Sequence, residues 1–133
     1  MSRYAHSDVL DNGPAYLKAN CNKVILTTAY YTTYANVTNA ANKVAEAALV
    51  TGDFAIAGAD GAARVLTATL TGKSMGNALV AVADGTNMHL AFVDTANSKV
   101  LYVTEESSDQ AITLGNPIQL NTNPTYTSGQ PTA

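Results

Sequence analysis

The chain has 133 residues, enough for one domain with a sizeable core and too few for two ordinary domains. Charged residues make up only 13%, and 7 Lys and Arg against 10 Asp and Glu give a net charge of −3. Because phosphate contacts need clustered Lys and Arg, this balance argues against a nucleic-acid-binding protein. No apolar run approaches the roughly 20 residues of a membrane span, and the N-terminus lacks the apolar core of a secretory signal. We therefore expect neither nucleic acid nor a membrane as a partner.

The first predicted element is a helix that begins near Ser7 or Asp8, since either side chain can cap the amides of a first turn. Cys21 continues the apolar face of this helix, and we expect it to be a small core residue. The pair Gly13-Pro14 interrupts the helix. It predicts either a kink or a new helix that starts with Pro14 in its first turn.

Short β-branched and aromatic runs between turn signals predict the strands that follow. The predicted strands are 23–31, 54–56, 64–70, 79–82, 88–93, 99–104, 111–114 and 118–120, with a loop at 32–42. Residues 43–50 are ambiguous, because Ala and Glu favour a helix, whereas the Thr-Gly-Asp turn after them can equally end a strand. We favour a strand there, on the family resemblance given below. The pattern predicts a mainly β, α+β fold, with a short N-terminal helix followed by a small antiparallel β-barrel or sandwich.

The last residues of the chain differ in composition from the rest. Residues 121–133 are rich in Thr and Pro, and Tyr126 is their only large apolar side chain. Such a segment cannot bury enough surface to order itself. We therefore predict a single domain over residues 1–120, with an N-terminal arm and helix, and an extended C-terminal tail over 121–133. The tail is either a free terminus or an arm that orders against a partner, and truncation after Leu120 is expected to leave the fold intact.

The sequence carries no pattern typical of an active site or a metal site. The two histidines, His6 and His89, lack the closely spaced ligand neighbours that metal sites usually have. Glu105 and Glu106 are adjacent, so on a strand they point to opposite faces and cannot act on one bond. No base is suggested as a partner for the lone cysteine. We therefore predict that the protein is not an enzyme and needs no metal or other cofactor.

The aromatic residues are unevenly chosen, with seven tyrosines against two phenylalanines and no tryptophan. Tyr30, Tyr31 and Tyr34 cluster at the end of a predicted strand and in the loop after it. Tyrosine combines rigid contact area with a polar tip and is enriched at interfaces. In one interpretation, one of Tyr30 and Tyr31 packs in the core and the other covers the outer face of the sheet. In the other, the cluster is a contact patch for a partner protein or a glycan.

Several motifs resemble segments of a family of small structural proteins of tailed bacteriophages and prophages. The N-terminal run is His6-Ser7-Asp8-Val9-Leu10-Asp11, followed by Tyr16-Leu17-Lys18-Ala19-Asn20. Later segments in the same order are Gly52-Asp53-Phe54, His89-Leu90-Ala91-Phe92-Val93-Asp94 and Leu101-Tyr102-Val103-Thr104. The resemblance covers most of the chain, from Tyr4 to Leu120. Gly13-Pro14 and the tail beyond Leu120 depart from the family's pattern.

The resemblance implies a head decoration, or cement, protein: a structural virion protein that binds the major capsid protein on the capsid exterior. It implies synthesis in the bacterial host cytoplasm and no catalytic residues, and it is compatible with a homo-oligomer. We predict capsid or partner contacts at Tyr4, His6, Tyr30, Tyr31, Tyr34, Pro124 and Tyr126. One alternative is a receptor- or glycan-binding module of a phage fibre or spike, because tyrosines and Asn- and Thr-rich loops also suit sugars. A tail-tube or head-completion subunit is a further alternative.

Overall fold

The computed structural model describes residues 4–5, 7–57, 64–106 and 111–128, and their side chains from residue 13 onward. Within these ranges the chain forms mainly β-strands. The elements in chain order are β1 (Tyr4–Ala5), α1 (Ser7–Asn20), β2 (Lys23–Thr27), α2 (Tyr34–Thr38), β3 (Lys43–Ala48), a 3₁₀ turn (Thr51–Asp53), β4 (Phe54–Ala57), β5 (Arg64–Ala68), β6 (Ser74–Asn77), β7 (His89–Asp94), β8 (Lys99–Glu105), β9 (Pro117–Gln119) and β10 (Thr125–Ser128).

The strands form three sheets, and every pairing between them is antiparallel. The largest sheet has five strands in the order β1-β8-β7-β2-β3. A second sheet has the order β10-β5-β4, and β6 pairs with β9 in a third. The predicted mainly β, α+β fold with a short helix near the N-terminus is confirmed, although the described sheets do not close into a barrel.

The inner strands β8, β7 and β2 of the five-stranded sheet are buried on both faces, because they carry apolar side chains in both directions. On β2, Val24 and Leu26 point into the main core, whereas Ile25 points to the opposite face. The main core lies between this sheet, α1 and the three-stranded sheet, and it includes Leu17, Val24, Leu26, Leu66, Phe92 and Tyr102. The second core, on the α2 side, consists of Ile25, Val37, Ala91, Val93, Val100 and Val103. Full burial of a side chain such as Leu26 contributes about 1.5–3 kcal/mol to folding.

Helix α1 consists of two helical pieces that meet at Gly13. This residue has φ 65° and ψ −154°, a conformation that residues with a Cβ rarely adopt. Pro14 follows at the start of the second piece, where an amide hydrogen would lack a partner within the helix anyway. Of the two alternatives from the sequence, the structure therefore matches a new helix that starts at Pro14. This piece contributes Leu17 to the main core, and Cys21, directly after the helix, is buried as predicted.

Two predictions near β2 need adjustment, and one is confirmed. Residues 43–48 form β3, the alternative that the family resemblance favoured for residues 43–50. The strand predicted over 23–31 ends at Thr27, whose hydroxyl donates to the carbonyl of Ala29 at 2.7 Å and turns the chain. The predicted loop 32–42 contains α2, because Thr33 caps this short helix and its residue Val37 is fully buried against the sheet.

The strands predicted at 79–82 and 111–114 are wrong. The two segments meet in a single bridge, in which Val82 and Ile112 exchange two hydrogen bonds of 2.9 Å. The amide of Leu79 bonds instead to a carbonyl of β3 at 2.7 Å. These apolar residues thus follow an irregular path, because their backbone groups find partners on several different elements.

Part of the predicted C-terminal tail lies on the domain, which differs from the sequence-based expectation. Strand β10 pairs with β5 over four residues, from Thr125 opposite Thr67 to Ser128 opposite Arg64. Composition alone underestimates the tendency of this segment to become ordered. Its backbone hydrogen bonds stabilise it in addition to the packing of its few apolar side chains. Truncation after Leu120 would remove a strand, so we now expect it to destabilise the fold. Residues 129–133 lie outside the described ranges.

Candidate functional site

The first candidate surface is the tyrosine face, formed by Tyr30, Tyr31 and Tyr34 on the α2 side of the five-stranded sheet. Tyr31 and Tyr34 are half-buried and pack against the second core. The Tyr31 hydroxyl donates to the Asn42 side-chain oxygen at 3.0 Å, which ties the chain before α2 to the chain after it. Both residues therefore contribute to holding α2 on the sheet, and each leaves only part of its ring available to a partner.

Tyr30 is the most exposed member of the tyrosine face, with 40% of its surface open to solvent. Its ring lies 5.5 Å from the ring of His89, which is only 3% exposed. Nδ1 of His89 is 3.0 Å from the carbonyl of Asn87, so this nitrogen is the one that donates. Nε2 is buried without a hydrogen-bond partner among the described residues. Tyr30 thus covers a buried imidazole and also presents ring surface outward.

The second candidate surface is the C-terminal strap, which we define as residues 121–128. Tyr126 packs its ring against that of Tyr102 in an edge-on arrangement, with 5.1 Å between the ring centroids. The Tyr102 hydroxyl donates to the carbonyl of Thr125 at 3.0 Å, and the carbonyl of Pro124 accepts from the amide of Ala68 at 2.9 Å. Pro124 and Tyr126, both predicted contact residues, therefore also hold the strap on its own domain.

Asn123 attaches the strap to the rest of the domain, although it was not among the predicted contact residues. Its side-chain oxygen accepts hydrogen bonds from the amide of Leu70 at 3.0 Å and the amide of Thr71 at 3.1 Å. It also accepts from the Thr71 hydroxyl at 2.9 Å. The signal available in the sequence was the pair Asn123-Pro124, since Asn before Pro often starts a turn. Its partners could not be identified, because they lie more than 50 positions earlier in the chain.

The N-terminal contact residues are placed only in part. Tyr4 belongs to β1, and its backbone pairs with Val103 of β8 at the edge of the five-stranded sheet. Its side chain is not among those described, and His6 lies outside the described residues. Strand β1 is the edge strand of the five-stranded sheet.

The predicted contact residues do not form one continuous surface. Tyr31 and Tyr34 pack on the second core, whereas Tyr126 packs on the main core, so the five-stranded sheet lies between them. A register shift between β7 and β8, next to Phe92, contributes to this arrangement. Because of the extra residue, Leu101 and Tyr102 both reach the main core, which gives Tyr126 its aromatic partner.

Several charged side chains of the described residues form ion pairs. Glu46 lies 3.3 Å from Lys23 and 3.4 Å from Lys43 on the five-stranded sheet, and Lys73 lies 3.2 Å from Asp53. All are partly exposed, so each pair contributes at most about 1 kcal/mol.

Among the described residues, Cys21 and Tyr126 have clearly shifted pKa values, and both shifts come mainly from burial. Burial raises the pKa of the Cys21 thiol to about 12, which keeps it protonated and unreactive. Burial also raises the pKa of Tyr126 above its ordinary value, with the nearby Tyr102 as the smaller cause. Neither shift is of the kind that would prepare a nucleophile, because both favour the protonated form.

Comparisons with known proteins identify no relative. No family model, no curated protein and no solved structure matches this chain. Within the described ranges, no group of three or more His, Cys, Asp or Glu side chains could hold a metal ion. A helix long and apolar enough to cross a membrane is likewise absent from the described part of the chain.

Proposed function

We propose that the protein is a structural component of the phage virion, which binds the major capsid protein on the outer surface of the shell and stabilises it. The observation that carries this proposal is the position of the two strands nearest the ends of the chain. Strand β1 lies at the edge of the five-stranded sheet, and β10 lies at the edge of the three-stranded sheet. Within the described residues neither strand has a further strand on its outer side, which is where a strand of a neighbouring subunit would pair, although at β10 the carbonyl of Thr125 already accepts from the Tyr102 hydroxyl.

Edge strands suit a protein whose task is to hold other subunits together. The outer side of an edge strand carries N–H and C=O groups that can pair with a strand of another chain. Such pairing depends on the backbone, so it needs no cofactor and no charged side chain. The low charge of this chain, 13% of residues, is compatible with a surface that binds protein rather than nucleic acid.

The choice of the capsid as partner rests on the resemblance of the N-terminal run from His6 to Asp11 and of the later segments. A capsid presents the same site many times, so a modest affinity at each site is sufficient when contacts on neighbouring subunits act together. The exposed ring of Tyr30 supports the proposal as a further contact, because rigid aromatic side chains are enriched at interfaces.

The proposal is tested with particles from a strain in which the coding sequence of this chain has been deleted. Purified protein is added to these particles, and its occupancy on the sedimented shells is measured together with the temperature at which they release their genome. We expect saturable binding and a higher release temperature. Tyr30→Ser should lower occupancy, whereas Val50→Ser, at an exposed apolar residue outside the predicted contacts, should not.

Two results would contradict the proposal. The first is a folded protein that does not sediment with shells at any concentration. The second is a protein that binds purified host-surface glycan and leaves the shells bare, which would favour the alternative of a receptor- or glycan-binding module of a fibre or spike.

A further inference from the structure

We propose that the C-terminal strap exchanges between two copies of this chain, so that β10 of each copy pairs with β5 of the other. On one side the backbone of β10 is held by the ladder with β5, and on the other the carbonyl of Thr125 accepts from the Tyr102 hydroxyl. Strand β10 pairs with β5 and has no strand on its other side within the described residues. Thr125 and Thr127 are exposed, which leaves Tyr126 as the main side chain that packs inward from the strand.

The surface beneath the strap is an apolar groove that does not fit it completely. Its floor includes Leu17, Leu66 and Phe92, which belong to the main core. A half-open depression of about 10 Å³ lies beside the strap residues Pro124 and Tyr126. The strap therefore covers this apolar surface only in part.

The hinge through which the strap would exchange is formed by its own first two residues, 121 and 122, and lies between two firm anchors. On one side, Leu120 is buried, accepts a hydrogen bond from the amide of Gly72 at 2.8 Å and donates one to the carbonyl of Lys73 at 2.9 Å. On the other side, the side-chain oxygen of Asn123 accepts three hydrogen bonds from Leu70 and Thr71. Only residues 121 and 122 lie between these anchors. Short hinge segments of this kind favour exchange, because an extended hinge directs the segment away from its own domain.

The occupant that fits the emptied groove is the strap of a second copy. That segment has the same sequence, so it can re-form each contact of the closed chain: Asn123 with residues 70 and 71, Thr125 with the Tyr102 hydroxyl, and Tyr126 with the Tyr102 ring. Residues 121–128 contain no charged side chain, so two identical straps do not repel each other. The inference concerns the chain itself and does not depend on capsid binding.

A disulfide across the β5–β10 pair provides the test. The bond from the amide of Ala68 to the carbonyl of Pro124 makes the opposed residues Val65 and Thr127 a non-hydrogen-bonded pair, by alternation along the ladder. In such pairs the Cα atoms are about 4.5 Å apart, within the range of a disulfide. Two proteins are prepared in a Cys21→Ala background, one with Val65→Cys and the other with Thr127→Cys. They are unfolded together, refolded as a mixture and oxidised with glutathione disulfide.

Exchange predicts a covalent heterodimer that joins residue 65 of one copy to residue 127 of the other, with a yield that rises with protein concentration. The matched control uses Lys23→Cys and Ala48→Cys, an opposed pair of the five-stranded sheet that is also non-hydrogen-bonded, since the amide of Leu49 donates to the carbonyl of Asn22. We expect the yield from the strap pair to exceed the control several-fold. An equal yield from folded proteins would overturn the proposal.

Sedimentation equilibrium of the unmodified chain provides a second measurement that does not depend on any variant. Exchange predicts a dimer whose share grows with concentration and which dissociates slowly, because each strap must be pulled from its groove before the copies separate. A chain that remains monomeric at the highest soluble concentration after refolding would overturn the proposal. The strap would then stay on its own domain or give way only to a strand of a different protein.

Discussion

Replacing Asn123 with alanine should destabilise the protein even though this side chain lies on the surface. The substitution removes the oxygen that accepts from the amides of Leu70 and Thr71 and from the Thr71 hydroxyl, over 2.9–3.1 Å. It leaves the backbone of β10 and the packing of Tyr126 unchanged. The experiment therefore isolates the polar attachment of the C-terminal strap from its apolar contacts.

The expected loss comes mainly from one of the three donors. Leu70 is fully buried, and its amide would lose its only described acceptor, which costs about 1–3 kcal/mol when water cannot reach it. Thr71 is exposed, so water can replace the acceptor for both of its donors at little cost. Since water reaches the Leu70 amide more easily once the Asn123 side chain is gone, we expect a value near the middle of that range, about 2 kcal/mol.

Urea unfolding followed by circular dichroism measures this loss. Asn123→Asp keeps an accepting oxygen and should retain most of the stability, whereas Asn121→Ala, at an exposed neighbour in the same segment, should change the free energy of unfolding by less than about 0.5 kcal/mol. If Asn123→Ala were as stable as the unmodified protein, the strap would not be held by this side chain.

Three further predictions concern buried groups. Phe92→Ala removes a fully buried ring whose centroid lies 6.3 Å from that of Phe54 and 6.0 Å from that of Tyr102. The substitution should lower the free energy of unfolding, measured in urea, by about 3–5 kcal/mol. A loss below about 1 kcal/mol would contradict this packing. Burial raises the pKa of Cys21 to about 12, so the thiol should resist Ellman's reagent until the protein unfolds, and rapid labelling of the folded protein would argue against burial. Burial raises the pKa of Tyr126, so its contribution to stability should be complete below its unfolded pKa and lost as pH rises through its folded pKa. Tyr126→Phe should remove that part of the alkaline decline, measured by urea unfolding at a series of pH values, and an unchanged decline would contradict the assignment.

The elements that the sequence predicted well are those whose local pattern agrees with their tertiary surroundings. The runs Val24–Leu26 and Leu90–Val93 are apolar on both faces, and they became the central strands β2 and β7, which are covered on both sides. Gly13-Pro14 predicted the break in α1, because the backbone conformation required there is one that glycine adopts easily. In each case the local sequence alone carries the information.

The elements that were missed depend on partners far away in the chain. Strand β6 (Ser74–Asn77) contains a glycine and has Met75 as its one apolar side chain, and it forms because it pairs with β9. Strand β10 has few apolar side chains, and it forms because β5 offers a free edge beside Tyr102. Apolar runs such as 79–82 have the composition of a strand, although their backbone groups bond to several different elements. Local propensity cannot report such pairings, since tertiary context decides between near-equal alternatives.

The sequence could predict which kinds of residue form the candidate contact surfaces, but not how these residues are arranged in space. The sequence indicated tyrosines as contact residues, and the structure places Tyr30 at the surface while Tyr31 and Tyr34 help to hold α2. It also indicated Pro124 and Tyr126, but the groove that receives them is assembled from α1, β4, β5, β7 and β8. Their capsid contacts stay a prediction. The division of these residues between two faces of one sheet follows from register and could not be deduced from their spacing.

The most direct test of the proposed function is a count of copies in the virus particle. The proposal places this chain in phage particles, so particles from its source are purified, and quantitative mass spectrometry gives the ratio of this chain to the major capsid protein. A protein that coats and stabilises the shell predicts a ratio near one, or a simple fraction of one set by the capsid symmetry. A handful of copies per particle would indicate a tail or fibre component instead, and complete absence from purified particles would contradict a role in the virion.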